Sequence, residues 1–88
     1  MSSAPGFHLA TVAHDGRLWV VYLETVDDPK RPDLCRARLR FDPADASGDF
    51  APTQTAAIII EDSFDEAVAR ARTFDEQQLA GLLRSTLP

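Results

Sequence analysis

Arg17-Leu18-Trp19-Val20-Val21-Tyr22-Leu23-Glu24-Thr25 is the stretch on which the fold turns. Its β-branched and aromatic residues favour extended backbone. The apolar run inside it, Leu18 to Leu23, is far too short to cross a bilayer. Just upstream, His14-Asp15-Gly16 supplies a tight turn, because Asp-Gly accepts the positive φ angles of a type I′ hairpin. Phe7 to Ala13, rich in β-formers, then reads as the other arm of that hairpin.

Downstream, Asp27-Asp28-Pro29-Lys30-Arg31-Pro32-Asp33 is a polar loop held out of regular structure by two prolines. Leu34 to Phe41 follows as a third strand with strict alternation. Cys35, Ala37, Leu39 and Phe41 fall on one side, and Arg36, Arg38 and Arg40 on the other. Asp42 to Thr53 is a second loop, marked by Pro43, Ser47-Gly48 and Pro52. Thr55 to Glu61 reads as a fourth strand, its isoleucines favouring extended structure.

The character of the sequence then changes. Ser63-Phe64-Asp65-Glu66 places Ser63 to cap a helix and Glu66 to reach back, a capping box. Phe64, Ala67, Val68 and Ala71 recur at helical spacing. Ten residues on, the phrase returns as Thr73-Phe74-Asp75-Glu76, followed by Leu79, Leu82 and Leu83. The two apolar stripes are out of phase, so one straight helix cannot bury both; two short helices over about 64–72 and 74–84 are expected, or one bent helix. Strands first and helices after is the α+β pattern. The simplest arrangement is a four-stranded antiparallel meander with the C-terminal helices packed on one face. Residues 1–6, small, polar and broken by Pro5-Gly6, read as a flexible tail, and 7–88 as a single α+β domain.

Composition narrows the function classes. With 88 residues and a single cysteine, Cys35, the chain has no disulfide framework. A domain this small buries only roughly 60% of its unfolded surface and commonly draws further stability from a metal, a disulfide or a second chain. The N-terminus has neither the basic start nor the apolar run of a secretory signal, which points to a reducing cytoplasm. The cations are almost all arginine, with Lys30 the single lysine, a usage typical of GC-rich bacterial genomes. A net charge of −5 argues against non-specific nucleic-acid binding and against an anionic membrane surface.

The central stretch carries a further consequence. Leu18, Val20 and Tyr22 lie on one face of the strand, and Trp19, Val21 and Leu23 on the other. Both faces seek burial, yet some twenty helical residues can cover only one side of a four-stranded sheet. Leaving large apolar side chains in water costs about 1.5–3 kcal/mol each. A second copy of the chain, packed sheet to sheet or continuing the strands at an edge, removes that cost, so a homodimer is expected, with Trp19, Val21 and Leu23 in its interface; the alternative is a strongly curled sheet that wraps the strand within one chain.

Other candidate sites are few. Arg36, Arg38 and Arg40 present three guanidinium groups at period two, suited to a phosphate, a carboxylate or an acidic surface. The competing reading is cross-strand pairing with Glu24 or Glu61. His8 and His14 are about 20 Å apart in an extended strand, too far to share one metal. Cys35 alternates with core residues, and no activating base accompanies it. Asp42, Asp45 and Asp49 crowd a loop but fit no EF-hand frame. No phosphate loop or nucleophile elbow is present, and no cofactor or metal is implied. The expected function is therefore a small non-enzymatic interaction or regulatory domain acting as a homodimer. The alternative is a binder of a small anionic ligand through Arg36, Arg38 and Arg40.

Overall fold

The computed structural model describes residues 6–27, 29–44 and 51–87. Residues 1–5 of the tail expected over 1–6, and the acids Asp45 and Asp49, lie outside the described residues. Five strands, β1 (Phe7–His14), β2 (Arg17–Val26), β3 (Cys35–Pro43), β4 (Thr53–Gln54) and β5 (Ile59–Glu61), precede two helices, α1 (Phe64–Ala71) and α2 (Glu76–Thr86). The sheet runs β1-β2-β3-β4 in space, all pairs antiparallel, and β5 also pairs with β3. This is the α+β meander with helices after it.

The hairpin forms where Asp15 and Gly16 take φ angles of 53° and 74°, as a type I′ turn demands at both central positions. Along β1 the register slips between His8 and Ala10. This bulge lets Leu9 and Ala10 both pack against the core. Gly6 passes so close to β2 that a Cβ on it would lie 2.7 Å from the Cβ of Tyr22.

The fourth strand differs from the sequence reading of one segment over 55–61. Gln54 pairs with Arg40 and Ile59 with Ala37, so five steps along one chain face three along β3. Two residues too many must bulge out, and the strand divides into β4 and β5. Thr55 bridges the gap. Its N–H donates to the Leu39 carbonyl at 2.9 Å, and its hydroxyl oxygen accepts the Leu39 N–H at 3.1 Å. A side chain thus completes a ladder that backbone alone leaves open.

Two helices form, as the phase shift between stripes implies. Ser63 caps α1 by accepting the Glu66 N–H at 3.2 Å. The end of α1 tightens, Thr73 N–H bonding Arg70 O and Phe74 N–H bonding Ala71 O, and the Thr73 hydroxyl also donates to Arg70 O. Thr73 therefore closes the first helix. The second is capped by Asp75, which accepts the Gln78 N–H at 2.8 Å while the Gln78 side chain accepts the Asp75 N–H at 2.9 Å.

Both helices lie on one side of the sheet. Val12, Trp19, Val21, Leu23, Ala37, Leu39, Phe41 and Ile59 from the strands meet Ala67, Val68, Ala71, Leu79 and Leu83 from the helices. This corrects the expected interface. Trp19, Val21 and Leu23 are 1%, 0% and 1% exposed within a single chain, so they form its core and cannot present a surface to a partner. The helices cover that side of β2, and Leu18, Val20 and Tyr22 are on the uncovered side.

Candidate functional site

The uncovered face of the sheet gathers the residues with chemistry to offer. Register fixes its layout as rows across the strands. Ala13 and Leu18 stand at the hairpin end; Thr11, Val20 and Asp42 form the next row; then come His8, Tyr22, Arg40 and Gln54; then Glu24 and Arg38; and at the far end Val26, Arg36 and Ile60. Its most exposed apolar members stand near the two ends, Leu18 55% and Ile60 49% exposed. A charged belt crosses the middle.

Glu24 is the hub of that belt. One of its oxygens accepts Nε of Arg38 at 3.0 Å, and the other accepts Nη1 of Arg40 at 2.5 Å. Arg40 uses Nε on Oδ1 of Asp42 at 3.0 Å and lays its guanidinium 4.5 Å above the Tyr22 ring. Tyr22 meets the His8 ring edge-on from the other side, at 5.8 Å between centroids. Burial pushes the Glu24 carboxyl up. The hydrogen bonds and charges of Arg38 and Arg40 outweigh that and hold it below the ordinary glutamate range. For Arg40, burial acts against the charge, but Glu24 and Asp42 more than restore it.

The three arginines do share a face, as alternation requires, but they are not equivalent. Arg38 and Arg40 are engaged by carboxylates of their own chain, which is the cross-strand pairing with Glu24. The alternative partner, Glu61, bonds Arg70 of α1 at 3.4 Å instead. Arg36 lines a separate cleft of about 640 Å³ between the β2–β3 loop and the start of α1, with Arg31, Asp27, Asp33 and Asp62 among its charged walls. Nothing in the local pattern announced this cleft, because it exists only where the proline-broken loop comes against Ser63 and Phe64.

The remaining candidates fall apart as a catalytic set. The β1 bulge puts His8 on the open face opposite Tyr22, whereas His14 sits at the turn, 3.7 Å from Asp15. Cys35 is half-buried in the cleft wall, and burial raises its thiol pKa. Such a thiol stays protonated and is a poor nucleophile. Asp42, read as a loop acid, belongs to β3, whose alternation simply continues past Phe41. Among the described residues no group of three or more His, Cys, Asp or Glu side chains is placed to hold a metal, and no helix is long and apolar enough to cross a membrane. No protein-family model matches the chain, and no curated protein or solved structure matches it.

Proposed function

We propose that the chain is a small non-enzymatic interaction module that works as a homodimer, two copies meeting through the open faces of their sheets. The observation that carries this reading is β2 itself, apolar on both sides while its own helices cover only one. Leu18 at one end of the uncovered face and Ile60 at the other are large side chains left in water, and sheet-on-sheet packing is the ordinary way to bury such a face. Strands of 8, 10, 9, 2 and 3 residues give a face of about 500 Å² per copy, or about 1,000 Å² in a pair, from strand rise and spacing. That is the low end of specific interfaces and suits a reversible, concentration-dependent dimer.

The anionic-ligand reading draws less support. A ligand on Arg38 and Arg40 has to displace Glu24 and Asp42, which already neutralise them at 3.0 Å or closer. The cleft beside Arg36 and Arg31 carries three aspartates against two arginines.

Sedimentation velocity over roughly 1 μM to 1 mM tests the dimer. A shift from monomer to dimer mass across that range is expected, with the dimer of Val20→Lys weakened about tenfold or more. A monomer mass throughout refutes the reading.

A further inference from the structure

We infer that the outer edge of β1 is a docking strand for an extended peptide of a partner, added antiparallel to the sheet alongside Ala10 to His14. The inference goes beyond self-association and stands without it. Among the described residues β1 pairs with β2 alone, so one of its sides is an open edge. The turn fixes which groups face that side. His14 and Arg17 flank the two-residue turn as a hydrogen-bonded pair. Antiparallel pairs alternate in their bonding, so Val12 and Ala10 also bond β2, while Thr11 and Ala13 direct their N–H and C=O groups outward. Both of those residues are exposed.

Strand edges are normally guarded by short length, proline or charge. The opposite margin of the sheet is guarded, since β4 and β5 have two and three residues. β1 has eight residues, none of them a proline, lysine, arginine or acid. Its bulge lies between His8 and Ala10 and leaves the stretch from Ala10 to His14 regular. A second copy does not fit this edge. α2 packs directly on β1, and Val12 is 1% exposed although it stands on the outermost strand, so the helix layer reaches the rim of the sheet. Two copies joined along β1 bring two such helices within about 4.8 Å, one strand spacing, where packed helices need about 8–10 Å. The occupant is therefore a segment with no helix layer of its own. Its side chains opposite Ala10, Val12 and His14 come down beside α2 and the half-buried Leu9, which calls for apolar residues, and those opposite Thr11 and Ala13 face water. The net charge of −5 favours basic flanks.

The test titrates the full chain with the acetylated, amidated peptide Lys-Val-Thr-Val-Thr-Val-Lys, read by amide NMR and hydrogen exchange. Saturable binding below about 1 mM peptide is expected, with exchange slowed at the Thr11 and Ala13 amides and unchanged at Val12 and His14. N-methylation of both threonines keeps their side chains, removes their backbone donors, and is expected to weaken binding about tenfold or more. Ala13→Pro removes an outward N–H that β2 does not use. It is expected to match the wild type by circular dichroism and to bind the peptide about tenfold more weakly or worse. No binding, or equal binding by the methylated peptide or by Ala13→Pro, overturns the docking edge; should Ala13→Pro fail to fold, the two peptides decide. If Ala13→Pro lowers the mass of the peptide-free chain where the wild type associates, the edge is a seam between copies and the peptide proposal is overturned. Sedimentation of the peptide-free wild type bears on the homodimer alone, so either idea can fail without the other.

Discussion

Thr55 is a single side chain on which the continuity of the sheet depends. Its hydroxyl oxygen takes the N–H of Leu39, a residue with no exposure at all, and its own proton goes to Ala56 O at 2.7 Å. Thr55→Val keeps the shape and removes that acceptor, leaving a buried N–H unpaired. Chemical denaturation is expected to register a loss of about 1–3 kcal/mol; an unchanged midpoint would show that water serves Leu39 equally well. Glu24 gives a prediction of a different kind. Folding holds its carboxyl below the ordinary range, despite the upward push of burial, through the bonds from Arg38 and Arg40. A depressed carboxyl lends stability that is complete above the unfolded value, about 4.3, and is lost as pH falls through the folded one. Stability is thus expected to fall as the pH drops through and below the unfolded value, and Glu24→Gln is expected to flatten part of that fall. Asp33, also lowered, by its bond to Arg31, acts in the same direction and leaves a residual slope. Identical acid profiles for variant and wild type would contradict the assignment.

Helices and strands differ in how openly the sequence declares them. The first cap was plain at Ser63, because its signal is local, but the expected box forms only by half: the Glu66 carboxylate accepts the Ser63 hydroxyl at 3.4 Å instead of reaching the Ser63 N–H. The second was misplaced by two residues. Thr73-Phe74-Asp75-Glu76 repeats the first phrase, yet Asp75 with Gln78 forms the cap, since Thr73 is consumed in closing α1. Asp75→Ala is accordingly expected to cost about 1 kcal/mol in thermal or chemical unfolding, with Glu76→Ala costing far less. Equal effects would return the cap to the repeated phrase. The hairpin was equally legible, as Asp-Gly has few other uses between two strands. At Gly16, with φ of 74° and open space where a Cβ would project, Gly16→Ala is expected to lose about 1 kcal/mol from backbone strain alone. The division of the fourth strand was not legible. It depends on a mismatch of two residues against β3 and on a hydroxyl standing in for a carbonyl, neither of which has a periodicity.

Across the molecule, the property on which the proposed dimer depends is which side of β2 the helices take. The strand's own sequence withholds it, because both sides are apolar. The answer lay in a neighbour. Glu24 shares its side with Leu18, Val20 and Tyr22, and pairing it with the arginines of β3 makes that the polar side and leaves Trp19, Val21 and Leu23 as core. That inference needs the β2–β3 register, and a proline-broken loop does not encode its own register. The geometry leads to a sharp contrast between two adjacent, chemically identical residues. Val21 is fully buried beneath the helices, so Val21→Lys places an unpaired charge in the core. It is expected to remove most or all of the stability, by more than about 4 kcal/mol. Val20 faces the other way, directly opposite Asp42 on β3. Val20→Lys meets a carboxylate and solvent there, and at dilutions where the protein is monomeric it is expected to change stability by less than about 1 kcal/mol. Thermal melts of both variants at low micromolar concentration, read by the fluorescence of Trp19, measure the contrast. Equal destabilisation would mean that the open face is part of the folding core, and the fold would then offer no free surface for a second chain.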